Sequence, residues 1–202
     1  MDIINNISKK VADFAIENST KNMTKDDQEI LLYRITNFFM NIYKVTTILI
    51  IGYILNIFML MLLTLLSYTL LKPFIRGFHV DSGLYCLIIS IFFMVGGAYI
   101  ANTFTDIKYI YLNIVSFILI LIYAPADTKK RPIIDPKYKR SLKIKGIISF
   151  ILLNIIALNM DILTSNVIYI SIFTATLSIT PLMYKVFNQP YDNYIEYQKN
   201  KA

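Results

Sequence analysis

Five stretches without a charged residue divide the chain: Val45 to Leu71, Ser82 to Thr105, Tyr109 to Ala126, Gly146 to Met160 and Ile162 to Tyr184. A helix of about 20 apolar residues crosses the hydrocarbon core of a bilayer. Three of the runs meet that length comfortably. The composition agrees, since 56% of the residues are hydrophobic and the mean hydropathy is +0.55, more than a soluble domain usually carries. The expected fold class is all-α: a polytopic membrane helical bundle with about five apolar spans, the range of four to six being open. The run from Gly146 to Met160 is short for a full crossing. It reaches further if Leu142 and Ile144 extend it while Lys143 and Lys145 snorkel to the headgroups.

Residues 1–44 form the expected first region and residues 45–202 the transmembrane one, with a basic loop over 127–145. In the first region Ile4, Ile7, Val11 and Phe14 share a face at helical spacing, and Thr24 with Asp27 makes a capping start for a second amphipathic helix. Such helices lie in the membrane interface or pack on the bundle. No short apolar core of a secretory signal stands in residues 1–30, so the spans are expected to be retained. With one cysteine and one histidine, an internal disulfide and a structural zinc site are excluded. No nucleotide loop, zinc helix or intramembrane carboxylate pair is present, and no cofactor is expected.

The net charge of +7 raises nucleic acid as a partner, but the basic residues flank apolar runs and lack interleaved aromatics, so no nucleic acid is expected. They mark orientation instead. Eight basic residues between Lys129 and Lys145, against Asp135 alone, place that loop on the cytoplasmic side. Hairpins turning at Asp106 to Lys108 and at Asp161 bring the segment with Lys72, Arg76 and His79, and the tail with Lys185, Lys199 and Lys201, to the same face. The run from Val45 to Leu71 strains this scheme. One crossing leaves Lys9, Lys10, Lys21 and Lys25 outside; a break near Gly52 or Asn56 giving two passes, or a re-entrant path, relieves it.

The segment IRGFHVDSGLYC, Ile75 to Cys86, holds both the histidine and the cysteine. Seven residues apart in one helix they would stand about 10 Å apart along the axis. Asp81, Ser82 and Gly83 interrupt the run, however, and either Asp81 or Ser82 can cap the next helix. Cys86 then falls near a helix start, where partial positive charge and unpaired N–H groups favour a thiolate, and His79 in the preceding loop can fold back to take its proton. Arg76 adds positive potential or binds a carbonyl or carboxylate, and the free N–H groups can stabilise an oxyanion. The plainer reading makes Cys86 a small apolar residue and His79 an interfacial side chain.

Arg76, Gly77, His79 and Cys86, followed by YAPADTKKRPI from Tyr123 to Ile133, resemble the accessory gene regulator protein B family, the AgrB-like membrane peptidases of Gram-positive quorum sensing. Length, hydropathy pattern and basic loop match as well. Phe78 departs from the family's usual small residue before the histidine. The resemblance implies a cysteine endopeptidase that removes the C-terminal segment of an AgrD-like propeptide, with Cys86 as nucleophile and His79 as base. The acyl-enzyme thioester would then be captured by a cysteine or serine of the precursor, closing a thiolactone or lactone.

On that reading Arg76, Ser82 and Gly83 support the site, and Lys129, Lys130 and Arg131 bind the acidic tail expected of such precursors. Topology and attraction to anionic lipid are further uses of the same loop, compatible with docking. The protein is expected in the cell membrane with its site at the cytoplasmic face. Pro125 and Pro132 should end the third span, Pro181 should kink the last, and Tyr109, Tyr111, Tyr123 and Tyr184 read as an interfacial belt. Gly96 and Gly97 allow close approach to the third span or to a second protomer in a homodimer. The alternative from another class is a non-catalytic membrane protein, a peptide-export component or a lipid-binding scaffold.

Overall fold

The computed structural model describes residues 2–19, 23–78, 83–105, 107, 109–128 and 132–194. Among them run eight helices: α1 (Asp2–Glu17), α2 (Lys25–Ile54), α3 (Phe58–Ile75), α4 (Gly83–Thr103), α5 (Ile110–Tyr123), α6 (Pro136–Leu158), α7 (Ile162–Leu177) and α8 (Pro181–Val186). The architecture is an all-α bundle. α2, α3, α4 and α6 are long and apolar enough to cross a membrane. α5 and α7 are apolar but shorter.

The first apolar run is two helices. α2 closes in a Schellman arrangement: Asn56 N–H donates to the Tyr53 carbonyl at 3.1 Å and Ile57 N–H to the Gly52 carbonyl at 2.8 Å, with Asn56 at φ 57°. Asparagine is among the few residues that take this left-handed position readily. Gly52 is buried directly against the Met61 side chain, so any side chain there would force the hairpin apart. α2 also runs without interruption through residue 44. Its start is the capping box between Thr24 and Asp27, each backbone N–H reaching the other's side chain at 3.2 Å.

α1 packs on α2 with Ser8 and Ala12 buried, leaving Ile7, Val11 and Phe14 exposed. α6 starts five residues beyond the basic triplet, capped by Asp135, which accepts from Lys137 N–H at 2.9 Å, with Pro136 where its missing N–H costs nothing. Its extent past Leu142 and Ile144 gives it spanning length. The turn to α7 is fixed by Asp161, which accepts from Thr164 N–H at 3.1 Å and Thr164 Oγ1 at 2.6 Å.

α7 is the centre of the bundle, in contact with α3, α4, α5 and α6. Its buried residues fall on all sides, with Val167, Ile168, Ile172 and Ala175 wholly enclosed. A helix apolar all round is one that its neighbours cover. Gly97 of α4 faces Ile170 of α7, where an added Cβ would sit in ordinary contact at 3.7 Å, while Gly96 faces open space. The expected approach of these glycines to the third span is thus replaced by an approach of Gly97 to α7. Pro181 does not kink the last run. It opens α8 after the chain breaks at Ser178–Thr180.

Candidate thiol site at one end of the bundle

The α2–α3, α4–α5 and α6–α7 turns lie at one end of the hairpins; the chemistry gathers at the other. α3 stops at Ile75 because Arg76 takes φ 58° and ψ −127° and Gly77 takes φ 114°. Both positions favour glycine, and only the second has it. Three backbone bonds pin the turn. Arg76 N–H donates to Lys72 O at 2.8 Å, Ala126 N–H to Ile75 O at 3.1 Å, and Phe78 N–H to Ser178 O at 3.0 Å. A Cβ on Gly77 would lie 2.6 Å from both Ser178 O and Ser178 Oγ and 2.9 Å from Lys72 Nζ. The Arg76 guanidinium turns to α6, donating to Tyr138 Oη at 2.8 Å with its carbon 5.3 Å from the ring centre.

Cys86 lies in the first turn of α4, half-buried. Its sulfur is met by Lys44 of α2, whose Nζ stands 4.0 Å from Sγ. Lys44, Ile48 and Gly52 recur every four residues on α2, and Ile48 and Gly52 are buried, so Lys44 belongs to the face that packs into the bundle. α3 contributes Lys72, which donates to Ser178 Oγ and lies 5.6 Å over the Tyr68 ring. Lys72 and Tyr68 both lie within electrostatic reach of Cys86, and Lys72 within reach of Lys44. Ser90 Oγ donates to the Cys86 carbonyl at 2.8 Å, inside the same helix.

The second motif is a buried strut. Ala124, Ala126 and Asp127 are each buried, Asp127 at 6% exposure. The Asp127 carboxylate accepts from Asn193 N–H at 3.0 Å and Tyr194 N–H at 2.9 Å, while its carbonyl accepts from Tyr184 Oη at 2.5 Å. Tyr184, expected in an interfacial belt, is 1% exposed, and Tyr109 is 3% exposed; both are core residues. Tyr191 packs edge-on to Tyr184 at 4.9 Å between ring centres. Its hydroxyl is pushed up to about 12, by burial first and then by Asp192, Tyr123 and Asp127. Phe78 stacks on Phe187 at 4.8 Å and meets Tyr184 at 6.0 Å. The departure from a small residue therefore fills an aromatic pocket made by α8 and the segment after it.

Of the residues singled out in sequence, Arg76, Gly83 and Cys86 are described and lie on the two helices that flank the interruption. His79, Asp81, Ser82, Lys129, Lys130 and Arg131 lie outside the described residues, as do Lys199 and Lys201. Lys44 and Lys72 carry no motif that marks them in the sequence as site residues. Each borders the charge-free run from Val45 to Leu71, the position where a lysine usually snorkels to water. Their shared feature, legible in hindsight, is that they bound the same run at both ends. Chemically, the arrangement is a thiol at a helix start with an ammonium group beside it, a second lysine near it, and a pinned turn leading to the histidine.

A family model described as Accessory gene regulator B matches residues 3–180. An AgrB-like protein of Listeria monocytogenes serotype 4a (strain HCC23) is 29% identical over 198 residues, covering 95% of this chain and 96% of its own length. One from Clostridium acetobutylicum (strain ATCC 824) is 28% identical over 164 residues, 80% and 78% of the two chains. Accessory gene regulator protein B of Staphylococcus aureus (strain JH9) is 31% identical over 147 residues, 71% of this chain and 78% of that one. No solved structure matches the chain.

Proposed function

The chain belongs to the Accessory gene regulator B family, and on that premise we propose that it is a multi-pass cysteine endopeptidase of the cell membrane that processes an AgrD-like propeptide for quorum sensing. The observation that carries the reading is the position of Cys86, in the first turn of α4 with Lys44 Nζ 4.0 Å from its sulfur. That end of the bundle also holds the Arg76–Gly77 turn and the strut leading to Lys129. By the charge of its loops this end faces the cytoplasm.

In the proposed reaction the Cys86 thiol gives its proton to His79 and the sulfur attacks the carbonyl at the precursor's cleavage point. The tetrahedral oxyanion collapses with rupture of the C–N bond, the departing amine of the tail takes the proton from His79, and a thioester to Cys86 remains. A cysteine or serine of the bound precursor then passes its proton to His79 and attacks the thioester. The ring closes as a thiolactone or lactone, and Cys86 leaves as thiolate and recovers the proton. Intramolecular capture outcompetes water when the nucleophile is positioned, effective molarities reaching about 10⁵ M or more. Lys129, Lys130 and Arg131 steer the acidic tail to the site. The outward face of α1, with Ile7, Val11 and Phe14, rests on lipid at the interface.

Co-expression with a candidate precursor tests this, following the precursor's mass. Tail removal is expected to stop with Cys86→Ala and to fall nearly to nothing with His79→Ala, both proteins still inserting. Unchanged cleavage by Cys86→Ala would leave a non-catalytic export or scaffold role in its place.

A further inference from the structure

Within the proposed peptidase, we propose that Lys44 is a positioning residue whose ammonium group holds the Cys86 sulfur ionised and aimed at the substrate carbonyl, so that the nucleophile is assembled by α2 as well as by α4. The inference rests on the peptidase reading for its purpose but not for its test.

Four observations carry it. First, Lys44 Nζ stands 4.0 Å from Cys86 Sγ, within donor reach of the sulfur. Second, α2 cannot easily turn Lys44 away: Ile48, one turn further along, is fully buried in a cluster with Met61, Met94, Val95 and Ala98, which locks this face of α2 onto α3 and α4. Third, no carboxylate among the described residues forms an ion pair with Lys44 or Lys72. An ammonium group with no carboxylate beside it favours an anionic neighbour. Fourth, Lys72 is already committed to Ser178 Oγ and lies below Gly77, so its role is to brace the turn, whereas Lys44 ends on the sulfur.

The titratable groups around the thiol come from each packed element. α2 presents Lys44, and α3 presents Tyr68 and Lys72. α7 carries Tyr169, but α7 meets α4 at Gly97 through Ile170, about 16 Å along the axis from Cys86. α4 itself has Tyr85, which is exposed, and His79 belongs to the segment before it. A cation at Lys44 raises the thiolate fraction near neutral pH and leaves it unchanged once the medium is alkaline enough to ionise the thiol unaided.

Cys86 is the only cysteine, so alkylation by iodoacetamide in membranes reads this thiol alone and needs no precursor. For Lys44→Met the rate at pH 7 should fall about tenfold or more, while the rate at pH 10 stays that of the parent. Lys44→Arg, which keeps the charge, should restore most of the rate at pH 7. Three results overturn the proposal: equal rates at pH 7 for Lys44→Met and parent; equal slowing at both pH values, which reports access and not charge; or Lys44→Arg as slow as Lys44→Met. If processing falls while alkylation does not change, Lys44 acts on the substrate and the proposal is wrong, with the peptidase reading intact. If Cys86→Ala still cleaves, the peptidase reading fails whatever the alkylation shows.

Discussion

Gly77→Ala is the sharpest test of how the histidine-bearing segment is held. The native φ of 114° lies where an L side chain is strained, which costs about 1–3 kcal/mol in positions of this kind. The new Cβ would also stand 2.6 Å from Ser178 O, the carbonyl that accepts from Phe78 N–H at 3.0 Å. To clear it the turn must lift, and loss of that bond adds about 1 kcal/mol. The sum, about 2–4 kcal/mol, is a factor of about 30 to about 1,000 in the population of the pinned turn. Because the strain is local, the hairpins should still form and the protein should still insert. Precursor processing, followed by mass at equal membrane content, should fall by a factor in that range. Gly96→Ala is the matched control, since nothing lies within 4 Å of its added Cβ, and it should process like the parent. Processing by Gly77→Ala within threefold of the parent, or a larger loss in Gly96→Ala, would refute the claim that this turn positions the histidine-bearing segment.

Asp127→Ala removes the acceptor of two backbone N–H groups, at Asn193 and Tyr194, each bond to a charged acceptor contributing about 1.5–3 kcal/mol. The segment after α8 should come loose, read as faster amide exchange at residues 193–194, with Asp127→Asn intermediate because it keeps an acceptor; unchanged exchange in Asp127→Ala would show the strut to be idle. Reversing Lys129, Lys130 and Arg131 to glutamate should impair processing, and opposite charge changes in the precursor's tail should partly restore it. Loss of insertion without any restoration would assign the triplet to topology alone.

The parts of the fold legible in sequence are those decided locally. Thr24 and Asp27 at the start of α2, and Asp161 at the start of α7, announce themselves because a capping side chain needs only its own first turn. Charge-free runs mark α4, α6 and α7 because the medium responds to composition over about 20 residues. What stayed hidden was decided by partners far away in sequence. Tyr184 reads as a belt residue until Asp127 O, 57 positions earlier, is seen to accept from its hydroxyl. Pro181 reads as a kink until the chain is seen to break before it, where the Ser178 carbonyl turns to Phe78. The thiol is legible from its neighbours in sequence; its cation is not, because Lys44 and Cys86 are 42 residues apart.

The reversal at Asn56 ties these hidden parts together. Were Val45 to Leu71 one continuous helix, the 28 residues from Lys44 to Lys72 would separate their backbones by about 42 Å along the axis. One lysine would then serve each face of the bilayer, as flanking charges usually do. Because Asn56 takes φ 57° and Gly52 lets α3 lie against α2, both lysines return to the same end, within electrostatic reach of Cys86. The same reversal puts Lys25, at the start of α2, on the side of Arg76, Tyr138 and Asp127, which removes the conflict with the charge rule that a single crossing creates. One left-handed asparagine thus joins the direction of the N-terminal region to the convergence of two lysines on one thiol, two features that composition alone treats as unrelated.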